Sequence, residues 1–214
     1  MFDLDGTLID SGRDICTAVN LLRKDYGLPP LPCRTVVSYV GDGLHVLVAR
    51  SLRGHRIDTE EATRRGGAHY RKHLFDHTVL YPGVSDGLRR LHKAGWRLAL
   101  ISNKPARACR KILRHFGIER LFSCVLGGGD TKHLKPHPEP LIVTMKRLKV
   151  SREGSWMIGD HKTDLAAARR AGIRSVFVTY GIGELGRERP TLRFGSFRAF
   201  VDRFVEVENA PRIG

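Results

Sequence analysis

The second half of the chain alternates between two kinds of apolar pattern, and this alternation constrains the fold more than any other feature. From about residue 95, short apolar runs are followed by stretches in which apolar residues recur at helical spacing. The predicted strands are 97–101, 124–126, 155–158 and 175–179, and the predicted helices are 84–94, 106–116, 140–148, 163–171 and 197–204. Strands that alternate with helices form repeated βαβ units. We therefore predict an α/β fold with a Rossmann-like, doubly wound parallel sheet.

Residues 13–78 follow a different pattern, because their apolar residues recur only at helical spacing. One such series covers 15–26 and another covers 44–52. A purely helical segment that precedes the βαβ units is typical of a domain inserted into an α/β core. We interpret 13–78 as a helical cap, and we assign residues 1–12 and 79–214 to the core.

The chain is strongly basic, with 37 Lys and Arg residues against 22 Asp and Glu residues and a net charge of +15. Such a charge attracts anions, and it fits either a nucleic-acid-binding protein or an enzyme that acts on small anionic substrates. The basic residues are spread along the chain, with no dense tract and no interleaved aromatic residues. We therefore favour a small anionic ligand, and a non-catalytic module that binds nucleic acid or anions is the alternative.

Two further features bear on location. No apolar run approaches the ~18 residues of a membrane span, and Asp3, Asp5 and Asp10 stand where a secretory signal would be apolar. The four cysteines are far apart and form no CxxC pair: Cys16, Cys33, Cys109 and Cys124. We therefore expect a cytoplasmic protein without a membrane partner, whose cysteines are reduced, partly buried thiols rather than a zinc site or a disulfide framework.

Four short motifs carry the charged and polar side chains that point to chemistry, and three of them stand where a predicted strand ends. They are Asp3-Leu4-Asp5-Gly6-Thr7-Leu8, Ser102-Asn103-Lys104-Pro105, Lys135-Pro136-His137-Pro138 and Gly159-Asp160-His161-Lys162-Thr163-Asp164. The carboxyl ends of parallel strands meet at one edge of a sheet, where α/β proteins bind ligands. Taken singly, each motif also fits a plain turn, a surface loop or a helix N-cap.

Together and in this order, the four motifs resemble those of the haloacid dehalogenase superfamily of phosphatases, and the resemblance covers about residues 2–183. It implies that Asp3 is the nucleophile, that Asp5 is the general acid and base, and that Ser102 holds a phosphoryl oxygen. It also implies that Lys135 supplies positive charge to the nucleophile and the phosphoryl group. An aspartate at position 5 argues against the dehalogenase and phosphonatase branches.

The same resemblance implies a Mg²⁺ ion, which prefers oxygen ligands and keeps several waters. Its implied ligands are Asp3, the backbone carbonyl of Asp5 and Asp160, with Asp164 as an outer or occasional ligand.

The cap sequence suggests a substrate. The segment 14–52 resembles the cap of bacterial phosphoglycolate phosphatases, and Asn103 fits the same branch. The implied substrate-binding residues are Asn103, Gly41, Asp42 and Gly43, although a glycine pair before a helix is equally typical of a plain loop. We predict a phosphatase for a small phosphorylated metabolite, foremost 2-phosphoglycolate. A pyrophosphatase, a sugar-phosphate phosphatase and a phosphomutase remain open, and nothing in the sequence indicates the oligomeric state.

The chain departs from the family pattern at two places. His161 stands where the family more often has a small hydroxyl residue, which affects a contact beside the metal site. Only Met1 and Phe2 precede Asp3, whereas relatives begin with several more apolar residues. A start codon assigned too late would explain this difference. If the short form is the native one, we expect reduced stability, because a short first strand offers fewer apolar contacts and ladder hydrogen bonds.

Overall fold

The computed structural model describes residues 1–209, which form a parallel sheet covered by helices together with an inserted helical cap. The strands are Ile9–Asp10 (β1), Val79–Leu80 (β2), Leu98–Pro105 (β3), Phe122–Gly128 (β4), Trp156–Gly159 (β5), Arg174–Val178 (β6) and Leu192–Phe194 (β7). The helices are Gly12–Asp25 (α1), Cys33–Val37 (α2), Leu44–Ser51 (α3), Thr59–Lys72 (α4), Val84–Lys93 (α5), Ala106–His115 (α6), Glu139–Leu148 (α7), Lys162–Ala171 (α8) and Phe197–Asn209 (α9). Within these residues, no helix has the length and apolar character needed to cross a membrane.

Residues 1–3 join two groups of strands into one parallel sheet. β3 pairs with β4, and β5, β6 and β7 pair in that order, all in parallel. Phe2 bridges to Leu100 of β3 on one side and to Ile158 of β5 on the other. The backbone N–H of Phe2 donates to Ala99 at 2.8 Å, and that of Asp3 donates to Ile158 at 2.9 Å. The first residues therefore lie in the middle of the sheet, and Asp3 emerges at its carboxyl edge.

Helices cover both faces of this sheet, because successive strand residues point to opposite sides. On one face, Phe2, Leu100 and Ile158 pack with the apolar side chains of α5 and α9. On the other face, Ile101 and Met157 pack with those of α7 and α8. Both faces of the central strands are thus apolar, as a buried parallel sheet requires, and the polar motifs are left at the strand ends.

The cap helices α1 to α4 lie between two short strands that form an antiparallel ribbon. β1 leaves the core and β2 returns to it, with Ile9 opposite Leu80. Asp14 in the first turn of α1 is fully buried, and one of its carboxylate oxygens accepts hydrogen bonds from the backbone N–H groups of His77 and Thr78 and from the Thr78 hydroxyl. This carboxylate ties the start of the cap to the returning chain.

The expectation that all four cysteines are reduced is wrong for two of them. Cys16 in α1 and Cys33 at the start of α2 form a disulfide within the cap. The chain between them folds back after α1, which brings together two residues that are 17 positions apart. Cys109 is a buried free thiol and Cys124 is a half-buried one.

The observed elements agree with the predicted strands and helices of the core to within a few residues at each end. β1, β2, β7 and the helices α2 and α4 were not among the predicted elements. The division into a core of 1–12 plus 79–214 and a cap of 13–78 stays a prediction, and residues 210–214 lie outside the part of the chain that the structure describes.

Candidate active site

Three carboxylates meet at the carboxyl edge of the central sheet. Asp3 is the last residue of the central segment 1–3, Asp160 follows β5, and Asp164 lies in the first turn of α8. All three are buried, and each offers an oxygen that lies within 4.8 Å of those of the other two. The sequence-predicted residues Asp3, Asp160 and Asp164 are therefore brought together.

Lys135 is the cation of this cluster. Its Nζ donates to Oδ1 of Asp3 at 2.8 Å, to Oδ1 of Asp164 at 2.6 Å and to the carbonyl of Ile101 at 2.6 Å. Burial alone would lower the pKa of Lys135, but the attraction of Asp164 and Asp3 outweighs it and raises the pKa above its ordinary value. Lys135 therefore stays charged and holds the Asp3 carboxylate in place.

Burial, together with repulsion between neighbouring carboxylates, raises the pKa of Asp3 and Asp160. Burial, followed by repulsion from Asp3 and Asp164, raises the pKa of Asp160 to about 8. Burial also raises the pKa of Asp3 to about 6, where attraction by Lys135 opposes the repulsion from Asp164. The single positive charge of Lys135 thus does not balance the negative charge of the three buried carboxylates.

Asp160 is fixed by groups that the sequence analysis did not single out as site residues. Its Oδ1 accepts from the Thr7 hydroxyl at 2.9 Å, and its Oδ2 accepts from the backbone N–H groups of Ile182 at 3.0 Å and Gly183 at 2.8 Å. Gly6 packs against the same carboxylate with a φ of +82°, and a Cβ at this position would lie 2.0 Å from Oδ2. Only glycine fits at position 6, where the backbone of the first motif lies against Asp160.

The cluster fits a divalent cation. Its donors are all carboxylate oxygens, which suit Mg²⁺, and an ion of charge two would offset the repulsion that raises the pKa of Asp160. Both oxygens of Asp164 already accept hydrogen bonds, one from Lys135 and the other from the backbone N–H of His161 at 3.1 Å. The Asp160 oxygens, in contrast, accept only from uncharged donors, and Lys135 engages only one of the two Asp3 oxygens. Asp3 and Asp160 are therefore better suited than Asp164 to bind an ion directly.

Asp5 is held apart from this cluster by a second lysine. Lys104 Nζ donates to both oxygens of Asp5, at 2.7 and 2.9 Å, and the Ser11 hydroxyl donates to Oδ1. The same Nζ lies 4.4 Å from the ring centre of Tyr70, which belongs to the cap helix α4. Burial opposes the charge of Lys104, but Asp5 raises its pKa above the ordinary value. Asp5 and Lys104 form an ion pair at the border of core and cap.

The second motif contains Lys104, and its Asn103 contacts the backbone of Lys135. Ser102 is buried, and its hydroxyl oxygen accepts the backbone N–H of Lys104 at 3.3 Å. The Asn103 side chain accepts the backbone N–H of Lys135 at 2.9 Å and donates to the Lys135 carbonyl at 2.7 Å and to the Gly41 carbonyl at 2.8 Å. Asn103 thereby connects the loop that carries Lys135 to the cap.

The glycine loop of the cap lies against the core. Gly41, with a φ of +120°, faces the ring of His161, and a Cβ there would come within 2.7 Å of Nδ1. The His161 ring also accepts the backbone N–H of Thr163 at 3.3 Å, so the side chain that replaces the expected small hydroxyl caps α8. Asp42, in contrast, pairs with Arg50 at 2.6 Å and does not line the cavity described next.

A cavity of about 180 Å³ lies between the cap and the carboxyl edge of the sheet. Its lining includes Asp3, Asp5 and Asp160 from the core, together with Ser102 and Asn103. Gly41 and Gly43 line it from the cap, whose other lining side chains are mainly apolar. Four cationic side chains also line it: Arg71, Lys104, Arg107 and Lys111. Such a cavity suits a small anion.

Several residues of the site were not predicted as site residues. Lys104 belongs to the second motif, and Thr7 belongs to the first, so their position in a motif was a usable signal. Ser11 lies three residues beyond the end of the first motif. Tyr70 and the backbone of Ile182 and Gly183 gave no such signal, because they reach the site only through the packing of the cap and of the segment after β6.

Comparisons with known proteins show the family to which the chain is similar. The family model described as haloacid dehalogenase-like hydrolase matches residues 1–178. A phosphoglycolate phosphatase from Colwellia psychrerythraea is 43% identical over 189 residues, which cover 85% of this chain and 84% of that protein. One from Psychrobacter arcticus is 37% identical over 214 residues, with coverages of 94% and 93%.

Solved structures give the same result for the fold. The crystal structure of a predicted phosphoglycolate phosphatase from Haemophilus somnus has a TM-score of 0.88 and 31% identity, and it covers 94% of this chain and 95% of its own. The predicted family resemblance and the α/β core with an inserted helical cap are confirmed. This chain belongs to the haloacid dehalogenase-like hydrolase family.

Proposed function

We propose that this enzyme hydrolyses phosphomonoesters with Mg²⁺ through an aspartyl-phosphate on Asp3, and that its substrate is 2-phosphoglycolate. The observation that carries the proposal is the Lys135 bridge between Asp3 and Asp164 beside the buried carboxylate of Asp160. It supplies an oriented nucleophile, a fixed positive charge and oxygen donors for an ion in one place.

In the first step, Asp3 attacks the phosphorus atom. Lys135 binds Oδ1 of Asp3, which leaves the second carboxylate oxygen for the attack. As the new oxygen–phosphorus bond forms, the bond from phosphorus to the leaving oxygen breaks. Asp5, which takes up a proton from solvent once it has left Lys104, donates that proton to the leaving oxygen. The Ser102 hydroxyl and nearby backbone N–H groups bind a phosphoryl oxygen as charge develops. The released product from 2-phosphoglycolate is glycolate.

In the second step, water attacks the phosphorus of the aspartyl-phosphate. Asp5 now accepts a proton from the water, phosphate leaves, and the Asp3 carboxylate is restored. Asp3, Asp160 and the Asp5 backbone carbonyl would hold Mg²⁺, and Asp164 would be an outer ligand. When bound, the ion supplies the positive charge that lets an anionic nucleophile approach an anionic ester.

The Asp5–Lys104 pair supports a substrate with a second anionic group. Both oxygens of Asp5 are engaged by Lys104, so Asp5 must part from this lysine before it can serve a leaving oxygen. A buried ammonium that loses its partner needs another one. The carboxylate of 2-phosphoglycolate is a suitable replacement, because it is attached close to the leaving oxygen. The names of the relatives favour the same substrate.

The test is Mg²⁺-dependent phosphate release from 2-phosphoglycolate beside sugar phosphates, nucleotides and pyrophosphate. We expect the highest kcat/KM for 2-phosphoglycolate, and no release once EDTA removes the ion. If another ester is turned over best, the substrate is wrong while the mechanism stands. Phosphate release that is unaffected by EDTA would contradict the role of the ion.

The role of Lys104 is tested by a Lys104→Met variant on two esters that differ in the carboxylate. We expect kcat/KM for 2-phosphoglycolate to fall about 10- to 100-fold more than that for ethyl phosphate, because a hydrogen bond to a charged group contributes about 1.5–3 kcal/mol. If the substitution also disturbs Asp5, kcat/KM falls for both esters alike. The ratio of the two kcat/KM values then stays unchanged. Lys111→Met removes another positive charge from the cavity lining and should change the ratio much less. An equal loss of kcat/KM for both esters would contradict a contact between Lys104 and the substrate carboxylate.

A further inference from the structure

We propose a second metal site on the surface, formed by His133, His137 and Glu139 and suited to a divalent transition-metal ion such as Zn²⁺. The two histidines are exposed and lie on the segment between β4 and α7, and Glu139 is the half-buried first residue of α7. Each offers a ligand atom within 4.8 Å of those of the other two. The histidine rings lie 4.2 Å apart between centres.

The backbone of this segment arranges the three side chains in advance. The N–H of His133 donates to Oε2 of Glu139 at 2.8 Å, which leaves the other carboxylate oxygen as a ligand. The N–H of His137 donates to the carbonyl of Leu134 at 2.9 Å and closes a turn between the histidines. The Thr131 hydroxyl donates to the carbonyl of His133 at 2.8 Å. Because these bonds already order the segment, binding an ion requires little further ordering.

The donor set distinguishes this site from the carboxylate cluster. Two imidazoles and one carboxylate are the protein ligands of many zinc sites that keep a position open for water, and imidazole favours transition metals over Mg²⁺. The N–H of Glu139 lies 3.2 Å from Nδ1 of His137. An ion on Nε2 of this ring requires the ring proton to sit on Nδ1, so this long hydrogen bond is given up on binding.

The site and the catalytic cluster share the same short segment but face different ways. Lys135 lies between the two histidines in the chain, and its buried side chain reaches Asp3 and Asp164. An ion held by His133 and His137 would join the residues on either side of Lys135. It would therefore stabilise the loop that carries this lysine, without itself entering the carboxylate cluster.

The experiment is a titration of the full chain with Zn²⁺ in the presence of excess Mg²⁺, monitored by calorimetry. Wild-type protein and an Asp160→Asn variant, which weakens the carboxylate cluster, should each bind one equivalent. His133→Asn and His137→Asn should each lower the affinity by at least about tenfold, since even the hydrogen-bond partners of metal ligands contribute that much. His92→Asn changes an exposed histidine on α5 and should leave the affinity unchanged.

A spectroscopic readout separates this site from the carboxylates. Cu²⁺ added in place of Zn²⁺ should show nitrogen hyperfine splitting in its paramagnetic resonance spectrum, which the His133→Asn, His137→Asn double variant loses. Binding that survives the double variant but disappears in Asp160→Asn would place the ion on the carboxylates and overturn the proposal. The proposal would also be overturned if the wild-type protein bound Zn²⁺ no more tightly than the double variant does.

Discussion

Replacing Asp3 with Asn is expected to lower kcat by at least about 10⁴-fold, as the loss of a covalent nucleophile does in other hydrolases. The amide has nearly the same shape but cannot form the aspartyl-phosphate. The variant should fold, because it removes one of three mutually repelling carboxylates while Lys135 keeps its contact with Asp164. We therefore expect a melting temperature that is no lower than that of the wild type in the absence of Mg²⁺.

The measurement is steady-state phosphate release together with thermal unfolding of both proteins. Asp86→Asn is a matched control, because Asp86 is an exposed carboxylate in the first turn of α5 and faces solvent rather than the site. It should retain wild-type turnover. An Asp3→Asn variant within about tenfold of wild-type kcat would mean that water, and not Asp3, attacks the ester.

Replacing Lys135 with Met should impair both activity and folding. The loss of the fixed positive charge should lower kcat by about 10²- to 10³-fold, comparable to the loss of one group that stabilises transition-state charge. Breaking a buried ion pair from one side costs about 3–5 kcal/mol of unfolding free energy, and here Lys135 is 3% exposed and serves two carboxylates. For a chain of this length the melting temperature should fall on the order of 10 °C.

These two effects are measured by turnover and by denaturant unfolding without Mg²⁺, so that an ion does not offset the missing ammonium. Lys132→Met, which removes an exposed lysine three residues earlier, should change neither quantity appreciably. A Lys135→Met protein as stable as the wild type would show that the buried carboxylates are neutral in the folded state. If this variant kept the wild-type kcat, Lys135 would have no role in the mechanism.

The core was predictable from sequence because its signals are local. Each main strand is a short apolar run, and three of the four polar motifs begin where a strand ends, which placed Asp3, Ser102 and Asp160 at one edge of a sheet. The missed elements have little local signal. β7 has three residues among glycines, prolines and arginines, and α2 has five residues that follow two prolines and a leucine.

Contacts between distant segments were not predictable in the same way. The disulfide joins Cys16 to Cys33 only because the chain turns back between α1 and α2. Lys104 reaches Asp5 across 99 positions, and nothing in a Ser-Asn-Lys turn shows where its lysine points. Tyr70 meets Lys104 only when the cap lies over the core. These contacts depend on how elements pack, which apolar periodicity does not reveal.

Asn103 has a consequence for product release. Of its three hydrogen bonds, two hold the backbone of Lys135, and only the one to the Gly41 carbonyl reaches the cap. Lifting the glycine loop away from the core therefore breaks one bond and spares the other two. Under the proposed function, both products can depart while Lys135 keeps its alignment, so each catalytic cycle would begin with a lysine that does not have to be repositioned.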